Sequence, residues 1–318
     1  MNADMGAMEM IRFIAPEPTL PLSEQIAQLR SQFDAFLHTP ALQDLFALLY
    51  ADRHTISKLY NGRQTANGVV LETQDLGPAE QLEKYREALY PLLRELGFFD
   101  INRPLCREHS HMLVLGGSLE ACRTRTECAA NWMTPSVRYV DGLGCFRPIN
   151  PKERTGRSCL SECETEFGAL TKSFTSVFAL SPVWKDDFHG NRNLNCISCV
   201  REFSCAEDNR KYRVFAAPST QPGLRRADTG DSLLFYLRQE EEIRPTDSLL
   251  VITNNRYCNR QFLQIAFLLM KQACPVRFDV IGCTPDERIP GRERYDPFQL
   301  LQDLIGVLDW IDLFSREL

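Results

Sequence analysis

Two glycines and two arginines lie where an apolar segment gives way to a helical pattern. The segment Gly116-Gly117-Ser118 follows the apolar run 112–115, and the helical pattern after it contains Arg123 and Arg125. Unpaired N–H groups at a helix N-terminus, together with the helix dipole, attract anions. The spacing therefore predicts an anion-binding turn, although a tight turn that requires glycine for conformational reasons explains the same two glycines.

A second polar segment, residues 253–260, separates another apolar run from the next long helical pattern. Its hydrogen-bonding or charged side chains are Thr253, Asn254, Asn255, Arg256, Tyr257 and Arg260. Few structural needs call for so many polar side chains at a junction between a strand and a helix. Because arginine can hold a carboxylate or phosphate through two parallel hydrogen bonds, we expect this segment to contact a ligand.

Two further loops have compositions that suit an anion, each with a structural alternative. Residues 141–154 combine two glycines with three cations, among them Arg147, which is typical of an anion cradle and equally of a solvated loop. Residues 228–232 include Thr229 and Asp231, which suit a ribose or phosphate contact, but capping of the following helix explains this composition by itself.

One carboxylate is a candidate acid or base. The pattern Ser161-x-x-Glu164 predicts a capping box at the start of a helix. Glu166 is not needed for that cap, so it is the candidate catalytic residue.

The cysteine-rich segment 185–210 is a possible metal site. It contains Cys196-x-x-Cys199 and Cys205, a spacing that suits zinc. There is no second matched pair, and a chain with 12 cysteines produces such spacing by chance. We therefore assign no metal ligand and keep zinc as an alternative.

Composition narrows the class of protein. The 318 residues are 44% hydrophobic and 25% charged, with a net charge of −6, which disfavours nucleic acid as the main partner. The N-terminus does not resemble a signal peptide, and no apolar run is long enough for a membrane span. We expect a cytoplasmic protein with free thiols and no membrane association; no residue pattern identifies a protein partner.

The polar loops are separated by alternating strand and helix patterns. Strands are predicted over 111–116, 137–142, 212–217, 248–253 and 276–282. Helices are predicted over 119–133, 162–178, 229–241, 258–273 and about 297–315, and the first hundred residues read as helices over 22–37, from Pro40, within 52–60 and from Pro78 to Gly97. This order predicts an α/β fold with a three-layer, Rossmann-like, open and mostly parallel sheet that carries helices on both faces.

The predicted helix 258–273 is apolar nearly all round, so it must be buried on more than one side. The sheet can cover only one of its faces. We therefore expect residues 1–105 to form an all-helical cap packed on an α/β domain over 106–318, with 185–210 as a polar insert.

Taken together, the loops resemble the SanA/YdcF/ElyC family of bacterial α/β proteins over residues 109 to about 283. The matching segments are Val114-Leu115-Gly116-Gly117-Ser118, Asp141-Gly142-Leu143-Gly144 with Glu164 or Glu166, Asp228-Thr229-Gly230-Asp231-Ser232, and 252–260. The resemblance implies a Rossmann-like fold and a polar site for nucleotide-type ligands such as S-adenosylmethionine. Tyr257 stands where the family has histidine, so a general-base role at this position is not carried over.

Two hypotheses follow for the function. In the first, the chain binds a small anionic, nucleotide-like ligand at the carboxyl edge of the sheet and is a transferase or hydrolase. In the second, it is a non-enzymatic regulatory or interaction protein with a degenerate site, stabilised by zinc through its cysteine-rich insert.

Overall fold

A computed structural model describes residues 11–60, 80–99, 103–154, 160–181, 184–190, 193–206, 209–239, 243–283 and 296–318. The α-helices are α1 (Leu22–Leu37), α2 (Pro40–Leu49), α3 (Ile56–Tyr60), α4 (Arg86–Glu95), α5 (Leu119–Asn131), α6 (Glu166–Val177), α7 (Thr229–Gln239), α8 (Cys258–Lys271) and α9 (Pro297–Glu317). The strands are β1 (His111–Leu115), β2 (Tyr139–Gly144), β3 (Trp184–His189), β4 (Ser198–Phe203), β5 (Lys211–Ala216), β6 (Ser248–Asn254) and β7 (Arg277–Cys283).

The strands form one mixed, mostly parallel open sheet in the order β3-β4-β5-β2-β1-β6-β7. The five strands from β5 to β7 are parallel to one another, whereas β3 and β4 extend the sheet by antiparallel pairing. The mixed α/β class predicted from the sequence is therefore confirmed. No helix among the described residues combines the length and the apolarity needed to cross a membrane.

Strands β3 and β4 lie in the segment that was expected to be a polar insert. Within β4, Cys199 and Phe203 enter the core on one face of the sheet, and Val200 packs against the core on the other face. The local pattern is weak because charged residues interrupt it. Pairing of β4 with β5 and of β3 with β4 stabilises the two strands, so only the tertiary structure reveals them.

Strand β2 ends at Gly144, two residues later than predicted, so Asp141 does not belong to the loop that was assigned to residues 141–154. This residue lies within the strand opposite Arg213 of β5, not in a loop. The Arg213 side chain donates two hydrogen bonds to the Asp141 carboxylate, from Nε at 2.8 Å and from Nη2 at 2.9 Å. Asp141 is thus half of a buried ion pair, and the loop after β2 begins at Cys145.

The capping box predicted at Ser161 and Glu164 is wrong. Helix α6 begins at Glu166, and the N-cap is Thr165, whose hydroxyl accepts a hydrogen bond from the Gly168 amide at 3.2 Å. The backbone of Glu164 instead accepts a hydrogen bond from the Ile149 amide, which holds the segment before the helix extended. Glu166 consequently occupies the first turn of α6.

Alternate residues of β1 enter two separate cores. Met112 and Val114 pack with α5 and α6 on one face, whereas Leu113 and Leu115 share the other core with α7, α8 and α9. The first four helices also contribute to this second core.

Helix α8 is buried on more than one side, as its sequence predicted. It contacts β7, α7 and α9, and the Phe262 ring lies 4.9 Å from Phe278 and 5.9 Å from Phe13. Helix α9 covers much of the face that was assigned to the N-terminal helices. Pro78, where another helix was predicted to begin, lies outside the described residues, and Gly97 ends that segment at a φ of +84°, which favours glycine.

Candidate functional site

A polar cavity of about 580 Å³ opens at the carboxyl ends of β1, β2 and β6. The first turns of α5, α7 and α8 complete its wall. Strand β1 leads to α5 in one core and β6 leads to α8 in the other, so the cavity lies where the chain reverses its direction across the sheet. Such a reversal leaves a crevice in which open α/β sheets bind ligands.

Most of the predicted site residues line this cavity. They are Gly116, Gly117, Ser118, Arg125, Arg147, Glu166, Thr229, Asn254, Arg256, Tyr257 and Arg260. Cavities of this size accommodate an organic molecule and not only an inorganic ion.

Glycines 116 and 144 make room for the Glu166 carboxylate. A Cβ at Gly116 would lie 2.2 Å from Glu166 Oε1, and a Cβ at Gly144 would lie 2.9 Å from the same atom. Any side chain at Gly116 would therefore expel the carboxylate. The absence of side chains at Gly116 and Gly144 thus leaves space for the Glu166 carboxylate, a role of these glycines that the sequence did not indicate.

Arg147 fixes the orientation of Glu166. Its Nε donates to Glu166 Oε2 at 3.0 Å, and its Nη2 donates to the Gly117 carbonyl at 2.6 Å. Burial opposes the charged form of this guanidinium, but the neighbouring Glu153 and Glu166 outweigh burial and raise the pKa of Arg147. Arg147 thus holds a carboxylate of the protein, and Glu166 Oε1 is left facing the cavity.

Glu153 lies where the sequence analysis placed a ligand anion. Its carboxylate accepts hydrogen bonds from Arg147 Nη1 at 2.6 Å, from Arg147 Nη2 at 3.2 Å and from the Leu119 amide at 3.2 Å. Leu119 is the first residue of α5, so Glu153 already occupies the positive end of that helix. Only the fold reveals this contact, because the 3-10 helix 151–154 must return to the turn after β1.

Arg125 is a buried cation whose hydrogen bonds go to neutral oxygens. Its residue is 2% exposed, and it donates to the Leu115 carbonyl at 2.9 Å, to the Gly116 carbonyl, and to Asn254 Oδ1 at 2.6 Å. Within the described part of the chain, no carboxylate lies within ion-pair distance of Arg125. Its charge is therefore presented to the cavity without a direct counter-ion.

The two arginines after β6 differ in their roles. Arg256 donates to Asp303 Oδ2 at 2.6 Å and to Gln299 Oε1 at 2.7 Å, so its guanidinium is held by α9. The Arg260 side chain is more exposed, and its Nη1 lies 3.9 Å from Asp303 Oδ1. Arg260 is thus better placed than Arg256 to contact a ligand.

Four residues predicted for the site do not line the cavity. Arg123 is exposed on α5 and pairs with Glu127, and Asp231 accepts hydrogen bonds from Arg225 and from Thr220. Thr253 is buried within β6.

The fourth is Asn255, which donates to the Phe99 carbonyl at 2.9 Å. Its side chain therefore stabilises the approach of the N-terminal segment to the sheet.

Several residues that were not among the predicted site residues complete the wall. They are Glu120, Cys145, Arg226, Asp228, Ser232, Gln261, Gln264 and Gln299. Asp228 Oδ1 accepts from the amides of Gly230 and Asp231, so it is the N-cap of α7. Burial raises the pKa of the Cys145 thiol to about 12, so this thiol stays protonated and unreactive at neutral pH.

The zinc alternative receives no support from the described residues. Cys196 lies in a short 3-10 helix, Cys199 is buried in β4, and Cys205 follows that strand. Within the described ranges, no group of three or more histidine, cysteine or acidic side chains could hold a metal ion.

Comparisons of the chain with protein-family models, with curated proteins and with solved structures found no match.

Proposed function

We propose that this chain binds a small anionic ligand, of nucleotide or sugar-phosphate type, in the cavity at the carboxyl edge of the sheet. The observation that carries the proposal is the unpaired guanidinium of Arg125, buried at the end of β1. Transfer of an ion out of water costs several kcal/mol, by an order-of-magnitude estimate, unless an opposite charge compensates it. An anionic ligand supplies that charge.

Neighbouring groups suit the rest of such a ligand. Arg260 adds a second, partly exposed cation, and Thr229 adds a hydroxyl at the start of α7. The Tyr257 ring lies 6.0 Å from the Arg125 guanidinium and presents an aromatic surface. Arginine with a nearby aromatic ring suits a ligand that carries both charge and a planar group.

Glu166 is the candidate general base of a transferase or hydrolase. Its Oε2 is fixed by Arg147, and its Oε1 reaches the cavity beneath Gly116. A carboxylate held in this way can accept a proton from a hydroxyl or a water without first changing its conformation.

The layering of the sheet and the role of the N-terminal helices are part of the same proposal. We regard the sheet and its two cores as a three-layer, Rossmann-like arrangement, and residues 1–105 as a helical cap over α8 and α9. Packing of Phe33 against Phe314 at 5.2 Å supports the cap. The order of the polar loops supports a distant relationship to the SanA/YdcF/ElyC family, whose nucleotide-type ligands are then the first to test.

Thermal shift measurements test the proposal directly. AMP, ATP and ribose 5-phosphate are compared with adenosine and ribose, on the wild-type chain and on Arg125→Gln. We expect the phosphorylated compounds to raise the Tm of the wild type more than their neutral counterparts, and Arg125→Gln to lose this difference. Binding of none of the five compounds, or equal shifts in both proteins, would contradict the proposal.

A further inference from the structure

The anion position at the start of α5 is filled by the protein itself. The Glu153 side chain is 4% exposed and lines the cavity. It accepts hydrogen bonds from the Arg147 guanidinium and from the amides of Leu119 and Asn150. A guanidinium together with the first amide of a helix is the donor set that proteins offer to phosphate and carboxylate groups.

We propose that Glu153 is an internal substitute for the ligand's anionic group, and that a phosphate group of the ligand displaces it. This inference rests on the proposed function, because it names where the anionic group binds. The proposed binding position of the phosphate group is the start of α5, between Arg147 and Arg125.

Two contacts place both guanidinium groups at the same turn. Arg147 donates to the Gly117 carbonyl at 2.6 Å, and Arg125 donates to the adjacent Gly116 carbonyl. A phosphate in place of the Glu153 carboxylate would therefore lie beside Arg147 and next to the unpaired Arg125. Phosphate also has more acceptor oxygens than carboxylate, so it can engage both arginines and the helix amide together.

The balance of charge favours exchange over addition. Arg147 is in contact with two carboxylates, Glu153 and Glu166, whereas Arg125 is in contact with none among the described residues. A ligand anion added to this set would be a third negative group. If it replaces Glu153, Arg147 keeps Glu166 and each arginine gains contact with the new anion.

The segment that carries Glu153 is suited to move. It is one turn of 3-10 helix, 151–154, and not part of a strand or a long helix. The hydrogen bonds of so short a helix are few, so its displacement breaks little regular structure.

Isothermal titration with inorganic phosphate at constant ionic strength tests the exchange. Glu153→Gln keeps the shape of the side chain but removes the competing charge. Hydrogen bonds to charged groups contribute about 1.5–3 kcal/mol. We therefore expect phosphate to bind to Glu153→Gln roughly 10- to 150-fold more tightly than to the wild type. Glu153→Ala carries the same test if the glutamine variant does not fold.

Glu120→Gln is the matched control, because it removes a negative charge from the same cavity wall at a partly exposed position. We expect it to tighten phosphate binding by about fivefold at most, since exposed charges contribute up to about 1 kcal/mol. Equal gains in both variants would mean a general electrostatic effect and would overturn the exchange.

Unchanged or weaker phosphate binding by the Glu153 variants would also overturn the proposed exchange. The absence of phosphate binding to both the wild type and the variants would overturn it as well. The proposed function fails separately, if Arg125→Gln binds phosphate as tightly as the wild type. A second readout is the Leu119 amide resonance, which should shift on addition of phosphate and on substitution of Glu153.

Discussion

Two buried arginines, Arg125 on α5 and Arg213 on β5, allow the unpaired charge of Arg125 to be tested without a ligand. Arg125 is 2% exposed and bonds to neutral oxygens, whereas Arg213 is 7% exposed and pairs with Asp141, which is completely buried. Replacement of each by methionine removes the charge and keeps an unbranched side chain. The two variants should differ strongly in stability.

Arg213→Met removes the two hydrogen bonds that the guanidinium donates to the buried Asp141 carboxylate, and breaking this buried ion pair should cost about 3–5 kcal/mol of unfolding free energy. Arg125→Met breaks three hydrogen bonds, worth about 4–5 kcal/mol in total at the low end of the range for charged donors. It also removes the desolvation cost of an unpaired ion, which is several kcal/mol by an order-of-magnitude estimate. The two effects nearly cancel, so we expect a net change of less than about 2 kcal/mol.

Urea unfolding at pH 7, followed by far-UV circular dichroism, measures both changes. The comparison is valid when the three proteins unfold with the same dependence on urea concentration. If Arg125→Met loses as much stability as Arg213→Met, the charge of Arg125 is compensated within the protein. The main reason to expect an anionic ligand then disappears.

Three further outcomes are expected. Gly116→Ala should lower the unfolding free energy by about 1–3 kcal/mol, because the new Cβ would lie 2.2 Å from Glu166 Oε1. Gly223→Ala is the control in the same urea experiment, since a Cβ at that position meets no atom within 4 Å. Burial raises the pKa of the Cys145 thiol to about 12, so its alkylation by iodoacetamide, followed by mass spectrometry, should be far slower at pH 7.5 in the folded protein than in the unfolded chain. The reaction should accelerate only toward pH 12. Rapid labelling of the folded protein at pH 7.5 would contradict this prediction. Burial acts to raise the pKa of Asp231, but its hydrogen bonds and a neighbouring guanidinium outweigh burial and lower the pKa. The Asp231 carboxylate therefore stabilises the folded state above its ordinary pKa of 3.8, and this stabilisation is lost as the pH falls below that value. In urea unfolding at a series of pH values, Asp231→Asn should show a smaller loss of stability at acid pH than the wild type.

The regular parts of the fold could be predicted because they depend on local patterns. The five parallel strands and the helices between them alternate as the apolar periodicity indicated, and α9 begins at Pro297, where the last helix was predicted to begin. The antiparallel strands β3 and β4 could not be predicted, because their apolar residues are few and they are stabilised by pairing, β4 with β5 and β3 with β4. The tendency of such a segment to form a strand depends on the strand that it packs and pairs with, and not on its own residues alone.

The position of the cavity was also accessible from the sequence, whereas the partners of its charged residues were not. Polar loops at the carboxyl ends of parallel strands must meet, and here they do. The partners depend on side chains from distant segments. Arg256 is held by Asp303 of α9, and Arg147 is held by Glu153 and Glu166, so these cations are already neutralised within the protein.

Arg123 and Arg125 show what a closer use of helical periodicity would have added. Both were candidates on the same helix, yet only Arg125 is buried. The buried residues Leu119, Cys122, Thr126 and Ala129 recur at helical spacing, and Arg125 lies three positions after Cys122 on this stripe. An arginine inside the apolar stripe of a helix must have a reason to be buried. On α5 no described carboxylate lies against Arg125, and its guanidinium is held by hydrogen bonds to three neutral oxygens. The anionic ligand that we propose would add the opposite charge that these oxygens do not supply.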